Sequence, residues 1–521
     1  MTLYRNVLSV GGLTLVSRVF GFIRDALMAA VLGISPVSDA FNAAFRFPNL
    51  FRRLFAEGAF NTAFVPMFSG ALETAGREGA RELASRIMSW LVAVIVVITL
   101  LVEIFAEAVM APFVPGFLDD PAKFELTVFL TRIMFPYLAC MSLMAAYAAI
   151  LNSMERFFAA AFAPVVLNIV NISALVPLAF LALEAPDIAF WVAVATMAGG
   201  VAQLALVYGA VRRTGLVPRL RLPRLDADVR RFWVLAVPAI IAGGITQINI
   251  FVGTVIASGA DGVMSIIYNA DRLYQLPLGI IGIAIGTVLL PELSRHLSAG
   301  RELEARQSQS QSLFLSMLLS MPAAGALIAL ALPIVRVLFE RGAFQPEDSL
   351  TVSQALVGFA VGLPAFVLIR VLQPGFFSRQ DTRTPTIFAA MSLVISVALS
   401  LALFDSLRHV GIALATSAAA WVNVLLLGLF LARRGHFTLS RSEWKQQALI
   451  AALTLAMAAL LAAGAWLLAP VFAPGASFLL QAAALLALCL LGAGSYFALV
   501  HLTGVQRLGG LLRALRRRRA A

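Results

Sequence analysis

SDAFNAAFRFPNLFRRLFAE, residues 38–57, reads as one helix with two incompatible faces. Asp39, Asn42, Arg46, Asn49, Arg53 and Glu57 follow one another at spacings of 3, 4, 3, 4 and 4, which puts all six on a single stripe. Phenylalanine, leucine and alanine fill most of the remaining circumference. Pro48, and Gly58 just beyond, are placed to bend or loosen the helix beside the stripe. Such a helix fits an apolar solvent on most sides and water on one.

The rest of the chain gives the same reading. Of its 521 residues 61% are hydrophobic and 13% charged, far from the roughly 45–50% apolar content of soluble domains. Apolar runs bounded by polar or Pro/Gly breaks recur near 6–32, 37–68, 85–112, 126–151, 158–182, 187–211, 230–257, 263–293, 312–338, 349–376, 385–404, 411–431, 447–469 and 477–502. The expected fold is an all-α integral membrane protein with about 14 transmembrane helices. Arg18, Arg24 and Asp25 interrupt the first run and no small-residue cleavage site follows, so it is read as a retained helix rather than a signal peptide. The two cysteines, Cys140 and Cys489, both fall in apolar runs and are read as packing residues, not as a disulfide or metal site.

Loop charge sets the orientation. With the N-terminus inside, the cytoplasmic segments hold 27 Lys and Arg and the opposite face three, Lys123, Arg341 and Arg408. One missed helix would invert every later loop, so both termini are expected in the cytoplasm. The net charge of +12 then reflects orientation and attraction to anionic membrane lipids, and no nucleic-acid partner is needed to explain it.

Nine basic residues remain inside the spans, all arginine: Arg18, Arg24, Arg46, Arg52, Arg53, Arg132, Arg272, Arg336 and Arg370. At about 2.5–3.5 kcal/mol each they would cost roughly 20–30 kcal/mol against lipid, so they are expected to face a wet interior. Arg132, Arg336 and Arg46 lie near helix ends and suit snorkelling to the interface. Arg18 and Arg24 are six apart and would diverge on a straight helix, with Gly21 available for a kink between them. Asp271-Arg272 opens a segment rich in bend points, Pro277, Gly279, Gly282, Gly286 and Pro291; a structural ion pair is the bland alternative there. Guanidinium stays ionised when desolvated and grips phosphate oxygens bidentately, so this set reads as a phosphate or pyrophosphate receptor.

Two turns look like copies: LNSMERFFAAAFAP (151–164) and FFSRQDTRTP (376–385) each carry a serine, an acid near an arginine, and a proline opening the next helix. The domain plan is therefore an N-terminal lobe at 1–215, a basic linker at 216–229, a C-terminal lobe at 230–433, two further helices at 434–505, and a basic tail at 506–521. Six being even, the lobes are parallel repeats, an arrangement that places a site between them and works by rocking.

SRVFGFIRD (17–25), SDAFNAAFRFPNLFRRLFAEGAF (38–60), ADRLYQLPLGIIGIAIGTVLLPELS (270–294) and SRQDTRTP (378–385) closely resemble the MurJ/MviN family over essentially the whole chain. The resemblance implies a flippase for the peptidoglycan precursor lipid II in the inner membrane, within the multidrug/oligosaccharidyl-lipid/polysaccharide exporter superfamily, with no catalytic residue and no metal. It implies substrate-binding roles for Arg18, Arg24, Arg52, Arg272 and Asp39, with Arg53 adjoining and Arg370 on the tenth span. Asp25, Glu57 and Asp271 are candidates for gating or ion pairing. The last two spans would extend a groove for the polyprenyl tail, and cell-wall synthesis machinery is a conceivable partner.

Some relatives hold sodium among acids and amides of spans 7, 11 and 12. Here those spans offer Gln247, Asn249 and Asn423 and no such acid, so no cofactor is expected and the membrane potential is the expected driving force. Rival readings are an exporter of another polyprenyl oligosaccharide or of drugs, a lipid II glycosyltransferase, and a cell-wall scaffold. The glycosyltransferase would want a large outer loop with a catalytic carboxylate, and the loops are short; the scaffold leaves the arginines unexplained.

Overall fold

A computed structural model of the chain describes residues 2–53 and 60–505. Among the described residues there is no strand, and helices occupy each interval read as a span. Among the described residues, nine helical stretches are long and apolar enough to cross a bilayer, which makes this a multi-pass membrane protein. The second helix, α2, is too short for that measure, with 17 residues.

The chain divides into two compact units. Unit 1, Met1–Ser265 with Arg341–Phe344, contains α1 (Thr2–Leu32), α2 (Pro36–Arg52), α3 (Phe60–Thr74), α4 (Gly76–Ile104), α5 (Ala106–Met110), α6 (Pro121–Met134), α7 (Tyr137–Ser153), α8 (Phe158–Leu178), α9 (Ala185–Arg212) and α10 (Ala227–Ala257). Its core joins Val31 and Leu32 of α1, Phe41 and Ala44 of α2, Leu130 and Met134 of α6, and Val192 of α9. The linker at 216–229 lies inside this unit, because α10 packs on α3 and α4.

Unit 2, Ile266–Glu340 with Gln345–Ala521, contains most of α11 (Val263–Ser298), then α12 (Glu302–Ala329), α13 (Ala331–Phe339), α14 (Pro346–Phe377), α15 (Arg383–Arg433), α16 (Arg441–Leu467) and α17 (Phe478–Leu502). One core layer joins α11, α12, α14 and α15 through Leu289, Leu313, Leu372 and Leu427. A second seats α16 and α17 on α12 and α13, where the Tyr496 hydroxyl donates to the carbonyl of Leu318 at 3.0 Å. The outer faces of α16 and α17 carry exposed leucines, and Cys489 is exposed rather than packed, whereas Cys140 is buried.

Several expected boundaries move. The span expected at 37–68 is α2 and α3, and the one at 312–338 is α12 and α13, with α12 beginning ten residues earlier, at Glu302. Helices continue past the apolar run into charged sequence, so Arg77, Arg81 and Arg86 sit on α4 rather than in a loop. The spans expected at 385–404 and 411–431 are the two arms of α15, which turns at Arg408 (φ 44°, ψ −120°). Antiparallel packing of the arms is fixed by Ser392 Oγ donating to the Ala419 carbonyl at 2.7 Å.

The two turns paired by sequence have matching backbones. Glu155 and Gln380 are both left-handed, φ 58° and 62°. Arg156 N donates to Leu151 O at 2.9 Å, and Asp381 N to Phe376 O at 3.1 Å, with Ser153 and Ser378 at equivalent places. Both turns thus close a helix by the same six-residue hydrogen bond, the Schellman geometry that hides terminal carbonyls.

Candidate functional site

The polar stripe of α2 exists, and its exposure changes along the helix. Phe47 anchors the opposite face against Phe51, Phe113 and Phe135, with ring centroids 5.1–5.6 Å apart. Asp39 and Asn42 are buried, Arg46 and Asn49 half-buried, and Arg53 exposed. Glu57 lies outside the described residues.

Asp39 is wholly enclosed by protein donors. Its carboxylate accepts from Lys123 Nζ at 3.0 Å, from the backbone of Gly262 at 2.7 Å and Ser265 at 3.0 Å, and from Ser265 Oγ at 2.7 Å. Asn42 adds a bond to Ser265 Oγ at 3.1 Å. The carboxylate therefore caps the first turn of α11, where unsatisfied amides and the helix dipole favour an anion. At 0% exposure and with both oxygens engaged, Asp39 is placed to hold this junction rather than to meet a ligand in this arrangement.

Lys123, assigned by sequence to an outer loop, is 4% exposed. Besides Asp39 it reaches Asp261 at 2.7 Å and lies 4.0 Å from the centre of the Phe117 ring. Asp120 caps α6 by accepting from Lys123 N at 3.1 Å, with Pro121 in the first turn. Lys123 is thus a cation at a helix N-terminus, which the dipole disfavours; two carboxylates offset it.

The remaining unit 1 candidates lie on α1 and α2. Arg24 directs Nε and Nη2 to Asp25 Oδ1 at 3.1 and 2.7 Å, so the two neighbours form an ion pair within one helix. Arg52 Nε is held by Asn49 Oδ1 at 3.0 Å. Arg18 is half-buried and makes no ion pair among the described residues. Residues 341–344 pack on the end of α1: Ala343 N donates to Ala30 O at 2.7 Å.

In unit 2, Arg272 Nη2 donates to Tyr268 Oη at 2.8 Å with its guanidinium 4.8 Å from that ring. Asp271 accepts from Gln275 on the same helix. Arg370 is exposed and lies across Gly282, where an added Cβ would come within 2.8 Å of its Cδ. The snorkelling candidates differ: Arg132 is exposed and 3.9 Å from Glu107, whereas Arg336 donates to the Phe472 carbonyl at 2.8 Å and lies 3.3 Å from Glu340.

The fold first gives the class. A multidrug resistance MATE family transporter of the MOP superfamily, solved in an inward-facing conformation, superposes with TM-score 0.64 at 15% identity, covering 80% of this chain and 95% of that one. The two chains therefore share one helical framework. A structure described as lipid II flippase MurJ, inward closed conformation, superposes with TM-score 0.78 at 25% identity over 95% of this chain and 98% of that one. The family profile described as lipid II flippase MurJ matches residues 28–485. A probable lipid II flippase MurJ from Rhizobium meliloti (strain 1021) is 50% identical over 84% of this chain and 82% of its own length; one from Rhizobium tropici is 44% identical over 100% and 98%. The chain belongs to the MurJ family.

Proposed function

We propose that this protein flips lipid II, the undecaprenyl-pyrophosphate-linked peptidoglycan precursor, from the cytoplasmic to the periplasmic leaflet of the inner membrane by alternating access. The observation that carries the reading is the set of intramembrane arginines on α1, α2, α11 and α14 in a chain of this family. Arg18, Arg24, Arg52, Arg53, Arg272 and Arg370 are the residues assigned to the pyrophosphate, since a bidentate fork suits its oxygens and the charge survives desolvation. Asp25, Asp271 and Glu57 are assigned to pairing with these arginines between substrate loads. Asp39 belongs to the same machinery through the α11 junction.

Loop charge supports an orientation with both termini cytoplasmic, 27 basic residues against three. Moving two negative charges outward gains roughly 5 kcal/mol at 100 mV, so the membrane potential suffices as driving force without sodium. The exposed apolar faces of α16 and α17 suit a polyprenyl tail.

Reconstitution in liposomes with controlled voltage and ion gradients tests this directly. Lipid II should cross faster with the compartment corresponding to the cytoplasm negative, and no faster on adding a sodium gradient. Transport of drugs or of another polyprenyl oligosaccharide with lipid II left unmoved would refute the assignment.

A further inference from the structure

The connection between α9 and α10 contains RLRLPRL, residues 219–225, in which arginine and leucine alternate around one proline. It has no helix of its own, yet it is not loose. Arg219 N donates to Ser85 Oγ at 2.8 Å and Arg221 N to Ser89 Oγ at 2.9 Å, while the Trp90 indole donates to the Arg224 carbonyl at 2.9 Å. Two extended residues advance about 6.6 Å and four helical ones about 6 Å, so an i, i+2 pair of amides matches an i, i+4 pair of serines. Each serine also donates to the carbonyl one turn back on α4, which orients its lone pairs toward the strap.

Clamped by its backbone, the strap leaves its side chains outward. Leu220, Leu222 and Leu225 are 55%, 87% and 68% exposed, and the three arginines are exposed beside them. Among the described residues, only Arg221 of the three has an acidic neighbour, Glu82 at 3.7 Å. Among the described residues, nothing in unit 1 covers the leucines. Their height relative to α4 supplies the missing solvent: Arg86 is the last charge before sixteen uncharged residues that end at Glu103. The strap therefore crosses α4 where that helix enters the bilayer, with Trp90 at the level aromatic side chains favour.

We propose that residues 219–225 are a docking strip for an anionic phospholipid surface. Leu220, Leu222 and Leu225 enter the boundary between headgroups and acyl chains, and Arg219, Arg221 and Arg224 bind headgroup phosphates. Strips of this composition lie in the interface, where apolar burial and charge act together. This surface is distinct from the intramembrane arginines and does not depend on which lipid they carry.

The test uses the full chain with Cys140→Ala and Cys489→Ser, a nitroxide at Leu222→Cys, and vesicles of phosphatidylcholine with or without phosphatidylglycerol. Collision with an aqueous nickel chelate against oxygen reports depth. With phosphatidylglycerol present the nitroxide should be shielded from nickel, and R219Q/R221Q/R224Q should return it to water, each arginine strengthening the attraction about fivefold. High salt should reverse the shielding without any substitution. A label open to nickel in both bilayers overturns the proposal. So does equal shielding in neutral lipid and in the triple variant, which would mean the fold itself covers residue 222. Shielding produced in detergent by inorganic phosphate alone would also overturn it, since a free anion and not a lipid surface would then be the ligand.

Discussion

Lys123 Nζ lies 3.0 Å from Asp39 Oδ2, with both side chains almost completely withdrawn from solvent. This pair closes the junction of α2, α6 and the start of α11 within unit 1. Removing one partner of a buried pair strands the other charge, at a typical cost of about 3–5 kcal/mol. Lys123→Met should therefore lower thermal stability in detergent and abolish flipping. Lys123→Met combined with Asp39→Asn should be less damaging than Lys123→Met alone; a double variant as unstable as the sum of the singles would contradict the pairing. Asp261→Asn should be mild, because that carboxylate is mostly in water.

The seat of residues 341–344 on α1 depends on Gly342. Its φ is +58°, and a Cβ there would stand 2.3 Å from the Ala30 carbonyl oxygen. Gly342→Ala should cost more than the roughly 1–2 kcal/mol of left-handed strain alone, since backbone must also shift. Proteolysis of this connection in detergent should accelerate in the variant while the rest of the chain stays intact. Unchanged cleavage would show that the loop is not held by α1.

Among the intramembrane arginines, Arg18, Arg24, Arg52 and Arg272 changed to Ala should each lower lipid II flipping by at least about tenfold, the loss expected from one charge-assisted hydrogen bond of roughly 1.5–3 kcal/mol. Membrane insertion should be normal. Lysine at the same positions should restore little, because a point charge cannot reproduce the bidentate fork. Flipping rates equal to the parent in the lysine variants would sink the phosphate reading.

Asp381 offers a pH handle outside the membrane. The bond from the Thr384 backbone, which leads, and those from the Thr384 hydroxyl and Arg434 together outweigh an opposing desolvation and hold its carboxyl down to about 2. A folded value below the unfolded one means its contribution is complete above about pH 4 and fades as pH falls toward 2. Thermal stability of the parent relative to Asp381→Asn should therefore be constant from pH 5 upward and converge in acid. A gap that widened on acidification would have the wrong sign.

Most of the fold was legible in the sequence, since long apolar runs and segregated loop arginines are each hard to produce otherwise. Even the paired turns were readable, and the structure gives Glu155 and Gln380 the same unusual backbone. Lys123 was missed because its partners Asp39 and Asp261 are 84 and 138 residues distant, and hydropathy says nothing about contacts of that range. A local signal was present: Asp120-Pro121 marks a helix start, and a lysine in that first turn opposes the dipole, so a compensating acid was owed. The stripe on α2 was correct in periodicity, but periodicity could not say that Asp39 and Asn42 face protein while Arg53 faces outward. Helix ends were misplaced because membrane helices project beyond the apolar run, as α4 and α12 do.

The hairpin formed by α15 has no slack at either end. At one, a single left-handed Arg408 reverses the chain; at the other, Asp381 clasps Arg434 at 2.6 Å. Such a bar, fastened top and bottom, can tilt as a whole but cannot scissor. Flexure inside unit 2 must then be supplied elsewhere, and α11, with three glycines, Gly279, Gly282 and Gly286, between Pro277 and Pro291, is the member built as a spring.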